Sequence, residues 1–330
     1  MTEVPKGMLD LIKGSTSFLV TSHLDPDGDA VGCQLAIYSV LKRLGKDVKA
    51  VSEDGVPPSY AFLEGAGEVI TSREAAGSPR EVAIVVDAAA LERIGWVADL
   101  VKRCGTVVNI DHHRSNDRFG DLNLVVTSAG ACGEIVYRVL ADLGVDLVLG
   151  EAESLYTAIL SDTGCFRFPT TTAGTLKIAA HLLEVGVKTY QIASQIYWRK
   201  PLASLKILGD ALSSIEVTGD GSVATMEITR SMYLKSGAAN VDTEGFANYP
   251  RSIDGVAVGV LLRETEDGFF RVSLRAAEGY DVDAIARVFG GGGHPTAAGF
   301  RIAGNLEEIK GRVRREILSQ IGNSRRAAGG

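Results

Sequence analysis

The stretch "TSHLDPDGDAVG", residues 21–32, places His23, Asp25, Asp27 and Asp29 within seven positions, directly after the apolar run "SFLV". Similar residues recur downstream. Asp87 closes "AIVVD", Asp111, His112 and His113 close "VVNIDHH", Asp162 lies in "ILSDTG", and His294 closes "GGGGH". Ionised carboxylates gathered in one place repel one another, and burial drives some to protonate. Divalent cations relieve both costs. Carboxylate oxygens mixed with two or three imidazoles, without cysteine, suit Mn²⁺; Mg²⁺ or Co²⁺ would also be served, and structural zinc is disfavoured. The candidate ligands outnumber what one ion uses, so the set predicts two ions about 3.5–4 Å apart.

Each piece alone has a plainer reading. "DPDGD" is rich in turn residues. An EF-hand loop is excluded, since its sixth position would be Ala30 and its twelfth Ala36. Asp87 alone could cap a helix. Adjacent histidines are harder to dismiss, because neighbours on a strand point to opposite faces. A strand followed by Asp-x-Asp also resembles the haloacid-dehalogenase phosphatases, with Asp25 as nucleophile and Asp27 as acid, but that mechanism leaves Asp87, the DHH triplet and Asp162 idle. Taken together, all at the ends of elements, these residues read as one site.

The elements that must position them alternate. Apolar runs at 17–23, 47–52, 81–88 and 105–111 are separated or followed by helical patterns such as 30–45, "LERIGWVADLVKR", "ACGEIVYRVLADLG" and "AESLYTAILSDTG". Near-continuous apolar strands between helices predict an α/β fold with a parallel sheet covered on both faces. Ligands of such sheets bind beyond the carboxyl ends of the strands. Texture changes in the second half, where "GSVATMEIT", "GVAVGVLLRET" and "GFFRVSLRA" precede the helix "DVDAIARVFG", the glycine run, a strand and a closing helix. This predicts a smaller α+β domain, mostly antiparallel. The expected boundaries are a first domain over 1–187, a helical linker over 188–213, a second domain over 214–322 and a loose tail over 323–330. Trp96 and Trp198 are expected in the packing.

Composition limits the partners. The net charge of −7 argues against a long nucleic-acid groove. Residues 1–190 hold 17 basic against 25 acidic side chains, whereas 191–330 hold 17 against 16. The acidic surplus therefore lies with the candidate ligands, and arginines of the other half are available to an anion. No apolar run approaches the roughly 20 residues of a membrane span, and the N-terminus lacks the layout of a signal peptide. The four cysteines show no CxxC spacing, which suits reduced thiols and a cytoplasmic protein.

The motifs "SHLDPDGDAVG", "VVDAAA", "DHHRSN" and "SDTG" together resemble the DHH phosphoesterase superfamily, and "VSLRA" with "GGGGHPTAAGF" resembles its DHH-associated domain. The compact two-domain length is most similar to the nanoRNase/pAp-phosphatase branch. The resemblance implies that His23 and Asp27 hold one manganese, that Asp29, His112 and Asp162 hold a second, and that Asp87 bridges them. Asp25 falls at a variable position of the motif. His113 would face the substrate phosphate, and Asp111 would orient a histidine by accepting its second N–H. A water acidified by both ions would attack phosphorus.

In the second domain Ser273, Arg275, Gly291, Gly292, Gly293 and His294 would grip substrate. Glycines there let backbone approach a ligand and offer amides to an anion, and arginine meets phosphate with a planar fork. Asn116 would either touch substrate or hold its loop. The implied reaction is hydrolysis of short oligoribonucleotides to mononucleotides, and of 3′-phosphoadenosine 5′-phosphate (pAp) to AMP and phosphate. Alternatives are a phosphodiesterase for linear or cyclic dinucleotides of the pApA or cyclic di-AMP type, a nucleotide-binding module without turnover, and a soluble pyrophosphatase. No membrane partner is implied, and oligomeric state stays open.

Overall fold

The computed structural model describes residues 3–237, 243, 245–265 and 267–328. They form two compact units, divided between Arg199 and Lys200. That division lies inside the stretch expected as a linker, whose helices therefore belong to one unit or the other. No helix among the described residues is long and apolar enough to cross a membrane.

The first unit opens with α1 (Lys6–Gly14), β1 (Ser17–Thr21), α2 (Gly28–Arg43) and β2 (Asp47–Ala50). It continues with α3 (Arg73–Ala76), β3 (Val82–Val86), α4 (Val97–Val101), β4 (Thr106–Asp111) and β5 (Leu122–Val125). Helices α5 (Cys132–Asp142), α6 (Leu149–Asp162), α7 (Ala173–Val185) and α8 (Thr189–Ala193) complete it. The five strands are all parallel, in the order β2-β1-β3-β4-β5. The apolar runs follow from burial on both faces. Phe18, Val20, Ile84 and Ile110 pack with Val31, Ile135 and Ile159 on one side, while Leu19, Ala83 and Val85 pack with Ile94, Val97 and Leu100 on the other.

Three details depart from what the pattern predicts. Strand β5 carries no clear strand signal, because it is a short edge strand with three of its four residues, Leu122, Asn123 and Val125, only half-buried. The pattern "LERIGWVADLVKR" is broken by Gly95 at φ 61° into a 3-10 turn over Leu91–Ile94 and the short α4. Trp198, expected in the packing, is exposed and meets Tyr190 edge to face.

The second unit comprises α9 (Leu202–Ser213), β6 (Glu216–Val217), β7 (Val223–Ile228), α10 (Arg230–Ser236), α11 (Asn248–Arg251) and β8 (Val258–Glu264). After these come β9 (Phe269–Ala276), α12 (Val282–Val288), β10 (Gly292–His294), β11 (Ala297–Ala303) and α13 (Leu306–Ala328). The sheet order is β10-β11-β9-β8-β7-β6, antiparallel except for β7 with β8. Alternation sorts the residues. Val260, Leu262, Phe270, Val272 and Leu274 face a core with Ile285, Val313 and Ile317, whereas Met226, Ile228 and Leu261 face Ile207 and Ala211 of α9. Helix α13 runs to Ala328, where a loose tail was expected from 323. Arginine and alanine are strong helix formers and prolong it.

Candidate metal centre

Parallel β1, β3 and β4 end on one edge of the sheet, and that edge collects the chemistry. His23 lies two residues beyond β1, Asp87 directly after β3, and Asp111–His113 at the end of β4. Asp27 is the N-cap of α2, its Oδ1 accepting from the amides of Asp29 at 3.0 Å and Ala30 at 3.1 Å. Asp162 is the last residue of α6. Helices α2 and α6 approach closely through Gly28 and Gly32: a Cβ on Gly28 would lie 2.6 Å from Ser161 Cβ, and one on Gly32 only 2.3 Å from the Ser154 carbonyl oxygen. In sequence the first of these glycines reads as a turn residue. Their four-residue spacing, which puts both on one helix face, is the clue to the seam.

The side chains surround a common space. His23 Nε2 is 3.5 Å from Asp87 Oδ2 and 3.9 Å from Asp27 Oδ1. His112 Nε2 is 3.4 Å from Asp162 Oδ2, 3.5 Å from Asp87 Oδ1 and 3.7 Å from Asp29 Oδ2. Each Asp87 oxygen thus faces a different histidine. Both rings are turned by their other nitrogen, His23 Nδ1 lying 2.7 Å from the Leu24 carbonyl and His112 Nδ1 3.3 Å from that of Ala129. Backbone carbonyls commonly orient metal-binding imidazoles in this way. Asp29 is fully buried, with Oδ2 accepting from the Cys132 amide at 2.6 Å and Oδ1 from the Gly133 amide at 2.9 Å, at the N-terminus of α5. Asp87 leaves β3 with left-handed backbone, φ 52°, and its Oδ1 is buried without a hydrogen-bond partner among the described residues. That oxygen stands 3.5 Å from His112 Nε2 and 3.6 Å from His113 Nδ1, and a bound cation would satisfy it. The donor set fits the ions that its chemistry suggests.

Charge within the cluster is finely divided. Burial, then the charges of Asp87 and Asp162, pushes the Asp29 carboxyl well above the usual range. Burial also raises Asp162 to about 7 against the pull of His112. For Asp87 burial is outweighed by the imidazoles of His112 and His23, which hold it well below the usual range. Burial would lower His23, but Asp87 and Asp27 lift it to about 9. His112 is likewise lifted well above its ordinary value, by Asp162 and Asp87 against burial. Without a cation the histidines therefore carry protons that a metal must displace. Metal affinity should rise as pH increases through neutrality toward about 9, the value for His23. Competition titrations across that range, with proton release measured in weak buffer, check it; a flat affinity would contradict the ligand set.

A second chain of contacts orients His113. Its Nδ1 is 2.8 Å from Asp111 Oδ1, and Asp111 Oδ2 accepts from Asn116 Nδ2 at 2.6 Å. Asn116 Nδ2 also lies 2.8 Å from Asn109 Oδ1, and Asn109 Nδ2 donates to the carbonyls of Ala88 and Val85 at 3.2 and 3.4 Å. Of the two roles considered for Asn116, these contacts support holding the loop and Asp111. Sequence reasoning passes over Asn109, although a lone amide inside "TVVNID" is visible there. Burial would raise Asp111 but His113 outweighs it, while Asp111 and Asp87 raise His113 against burial. Asp25 stands apart, its amide donating to Asp54 Oδ2 at 2.7 Å in the turn. Replacing Asn116 by alanine should lower kcat by about 10- to 100-fold with little change in KM, as for other partners that orient site residues. Steady-state kinetics would show it, and a pure KM effect would return Asn116 to substrate contact.

In the second unit the sheet register aligns the remaining candidates. His294 pairs with Ala297 and Ala297 with Arg275, while in the next row on that face Gly292 pairs with Gly299 and Gly299 with Ser273. Small residues thus separate the histidine from the arginine and hydroxyl. The glycines do a different job from the one expected. A Cβ on Gly291 would lie 2.2 Å from the Gly299 carbonyl oxygen, and one on Gly293 2.5 Å from that of Ala297. Their amides already donate, Gly291 to the Ala286 carbonyl at 2.9 Å and Gly293 to Asp283 Oδ1 at 2.8 Å. They let the hairpin close on β11 and so place His294, rather than presenting a nest of open amides.

Comparisons with known proteins agree with both halves. Residues 17–160 match the DHH family, N-terminal domain, and residues 220–319 match the DHHA1 domain. The bifunctional oligoribonuclease and PAP phosphatase NrnA of Thermus thermophilus is 33% identical over 92% of this chain and 89% of its own length. The protein of the same name from Bacillus subtilis is 31% identical over 87% of this chain and 89% of its own length. The crystal structure of an exopolyphosphatase-related protein from Bacteroides fragilis superposes with a TM-score of 0.90, at 26% identity, over 98% of this chain and 100% of that one. DHH enzymes are metal-dependent hydrolases, and the buried aspartate and histidine groups can bind metal ions. The chain belongs to the DHH phosphoesterase family, with an N-terminal DHH domain and a C-terminal DHHA1 domain.

Proposed function

We propose that this chain is a manganese-dependent phosphoesterase of the cytoplasm that hydrolyses short oligoribonucleotides to mononucleotides, and pAp to AMP and phosphate. The relatives named as oligoribonuclease and PAP phosphatase support the substrates. The observation that carries the two-ion centre is Asp87, with one oxygen toward His23 and the other, unpartnered, toward His112. His23, Asp27 and Asp87 would hold one ion; Asp29, His112, Asp162 and the second Asp87 oxygen would hold the other. When bound, such ions acidify water and neutralise phosphate oxygens. His113, whose protonated form Asp111 favours, would give its proton to the leaving ester oxygen as negative charge develops there. The entering water oxygen would form the new bond to phosphorus, its proton lost to solvent, as the ester bond breaks and its oxygen takes the His113 proton. His294, Arg275 and Ser273 bind a further phosphate of the substrate, arginine through its fork.

The test is a labelled RNA ladder, from dinucleotide to long strands, with pAp alongside, in Mn²⁺ and in EDTA. Metal-dependent turnover favouring the shortest RNAs, with phosphate release from pAp, is expected. Degradation of long strands would indicate a processive nuclease, and turnover of dinucleotides alone a dinucleotide phosphodiesterase. Binding without turnover would leave a nucleotide-binding module. Arg275→Ala should raise KM by about tenfold or more with a smaller change in kcat, the loss of one charged hydrogen-bonding group. A kcat effect alone would place Arg275 in the chemistry instead.

A further inference from the structure

We propose that Glu134 and Asp54 are positioning residues for the two metal-facing histidines, His112 and His23, each acting through one peptide bond. This rests on the two-ion reading above and extends it to carboxylates outside the ligand set. The carbonyl facing His112 Nδ1 belongs to the peptide between Ala129 and Gly130, and the amide of that same peptide donates to Glu134 Oε1 at 3.0 Å. The carbonyl facing His23 Nδ1 belongs to the peptide between Leu24 and Asp25, and its amide donates to Asp54 Oδ2 at 2.7 Å. The histidines follow different strands, and the two peptides lie in different loops. The order of contacts is nevertheless the same in both: carboxylate, peptide, imidazole.

Metal-binding imidazoles often place their second N–H directly on a carboxylate, which fixes the ring and makes it a stronger ligand. Here a peptide stands between the two. A carboxylate accepting from the peptide N–H pushes electron density toward the carbonyl oxygen, because hydrogen bonds in a chain polarise one another. That oxygen then accepts more strongly from Nδ1–H, which leaves the lone pair on Nε2. His23 Nε2 and His112 Nε2 are the atoms that face the two oxygens of Asp87, each at 3.5 Å. Ring orientation and ligand strength are thus set from behind, by groups that add no donor to the cluster itself.

Local structure favours both contacts. A Cβ on Gly130 would lie 2.9 Å from Glu134 Oε1 and 2.7 Å from the Thr170 carbonyl oxygen, so glycine there lets the carboxylate reach the amide. Thr175, fully buried in the first turn of α7, donates its hydroxyl to the same Oε1 at 2.8 Å. Burial lifts the Glu134 carboxyl above its ordinary range, against the pull of Thr175, Gly130 and the charge of His112. Two donors on one oxygen favour its ionised form. At the other histidine, Asp25 holds left-handed backbone, φ 50°, and the Asp54 contact is one of the restraints on that strained turn. Asp54 is exposed whereas Glu134 is half-buried, so solvent screens Asp54 more and its effect should be the smaller.

The experiment titrates Mn²⁺ alone into the metal-free full chain by calorimetry, with two binding events expected in wild type. Glu134→Ala, Glu134→Gln, Asp54→Asn and the double variant Glu134→Gln/Asp54→Asn are compared. Glu134→Ala should weaken one event by about 10- to 100-fold, and Glu134→Gln, which keeps an acceptor oxygen but no charge, by less. Asp54→Asn should weaken the other event by about two- to fivefold, as for an exposed charge. In the double variant the two losses should combine without interaction, as for separate sites. Urea unfolding in EDTA should be unchanged in Glu134→Gln and Asp54→Asn, which a merely structural role would not allow. Unchanged affinities, equal weakening of both events by either single variant, or lost stability in EDTA with intact metal affinity would overturn the relay. Fewer than two ions bound by wild type would instead overturn the two-ion centre, so the two failures are distinguishable.

Discussion

Asp87→Asn is expected to lower kcat/KM for every substrate by at least about 10³-fold, because several kcal/mol of transition-state stabilisation depend on the cations. Asparagine keeps the size and shape of the side chain. It removes the charge and replaces one oxygen by a donor, which must then face either His23 or His112. No other carboxylate among the described residues of this cluster presents its two oxygens to these two histidines. The fold should survive, since Asp87 Oδ1 makes no hydrogen bond to the described residues and the left-handed backbone at φ 52° suits asparagine as well as aspartate. Two measurements separate this from general damage. Saturating Mn²⁺ should raise the melting temperature of wild type, by linkage worth about 2.7 kcal/mol at a hundredfold excess over Kd, and should not raise that of the variant. Circular dichroism in EDTA should be unchanged. Retained activity, or a retained metal-induced shift, would remove Asp87 from the centre of the site.

That so much of this centre is legible in the sequence is a matter of chemistry. His23, Asp27, Asp87, the DHH triplet and Asp162 are expensive to bury, so their occurrence at the ends of apolar runs demands an explanation that ordinary loop residues do not. The parallel sheet then supplies convergence, because strand ends distant in sequence share an edge. Residues that escape such a reading have no comparable cost in sequence. Asn109 and Asn116 act through hydrogen bonds that exist only once β4 and the loop after it are in place. Glu134 and Asp54 reach the histidines only through a peptide, a contact that spacing does not contain. The glycines before His294 stand out in the sequence, but their purpose does not. The amides of Gly291 and Gly293 donate to α12, and the missing side chains of these two make room for β11 rather than for ligand. The edge strand β5 is illegible because four residues, three of them only half-buried, are too few to show a pattern.

Gly32→Ala should destabilise the protein by about 1–3 kcal/mol, the usual range for overpacking, although glycine to alanine inside a helix ordinarily stabilises by about 0.5–1 kcal/mol. The new Cβ would lie 2.3 Å from the Ser154 carbonyl oxygen, 2.9 Å from Ala158 Cβ and 3.0 Å from the Ala158 amide nitrogen. Two of these three atoms are backbone, so no rotamer change relieves the overlap and α2 must move away from α6. Gly209→Ala in α9 is the matched control, since nothing lies within 4 Å of its Cβ position, and it should be neutral or stabilising. Urea unfolding of the full chain compares the two. The consequence reaches the metal centre because α2 begins at Asp27 and Asp29 and α6 ends at Asp162. Asp29 and Asp162 both face His112 Nε2, at 3.7 and 3.4 Å, and both distances are set by how closely these helices lie. Weaker Mn²⁺ binding should therefore accompany the loss of stability in Gly32→Ala and be absent from Gly209→Ala. Lost stability with unchanged metal affinity would mean that the cations, rather than the glycine seam, hold the two helix ends together.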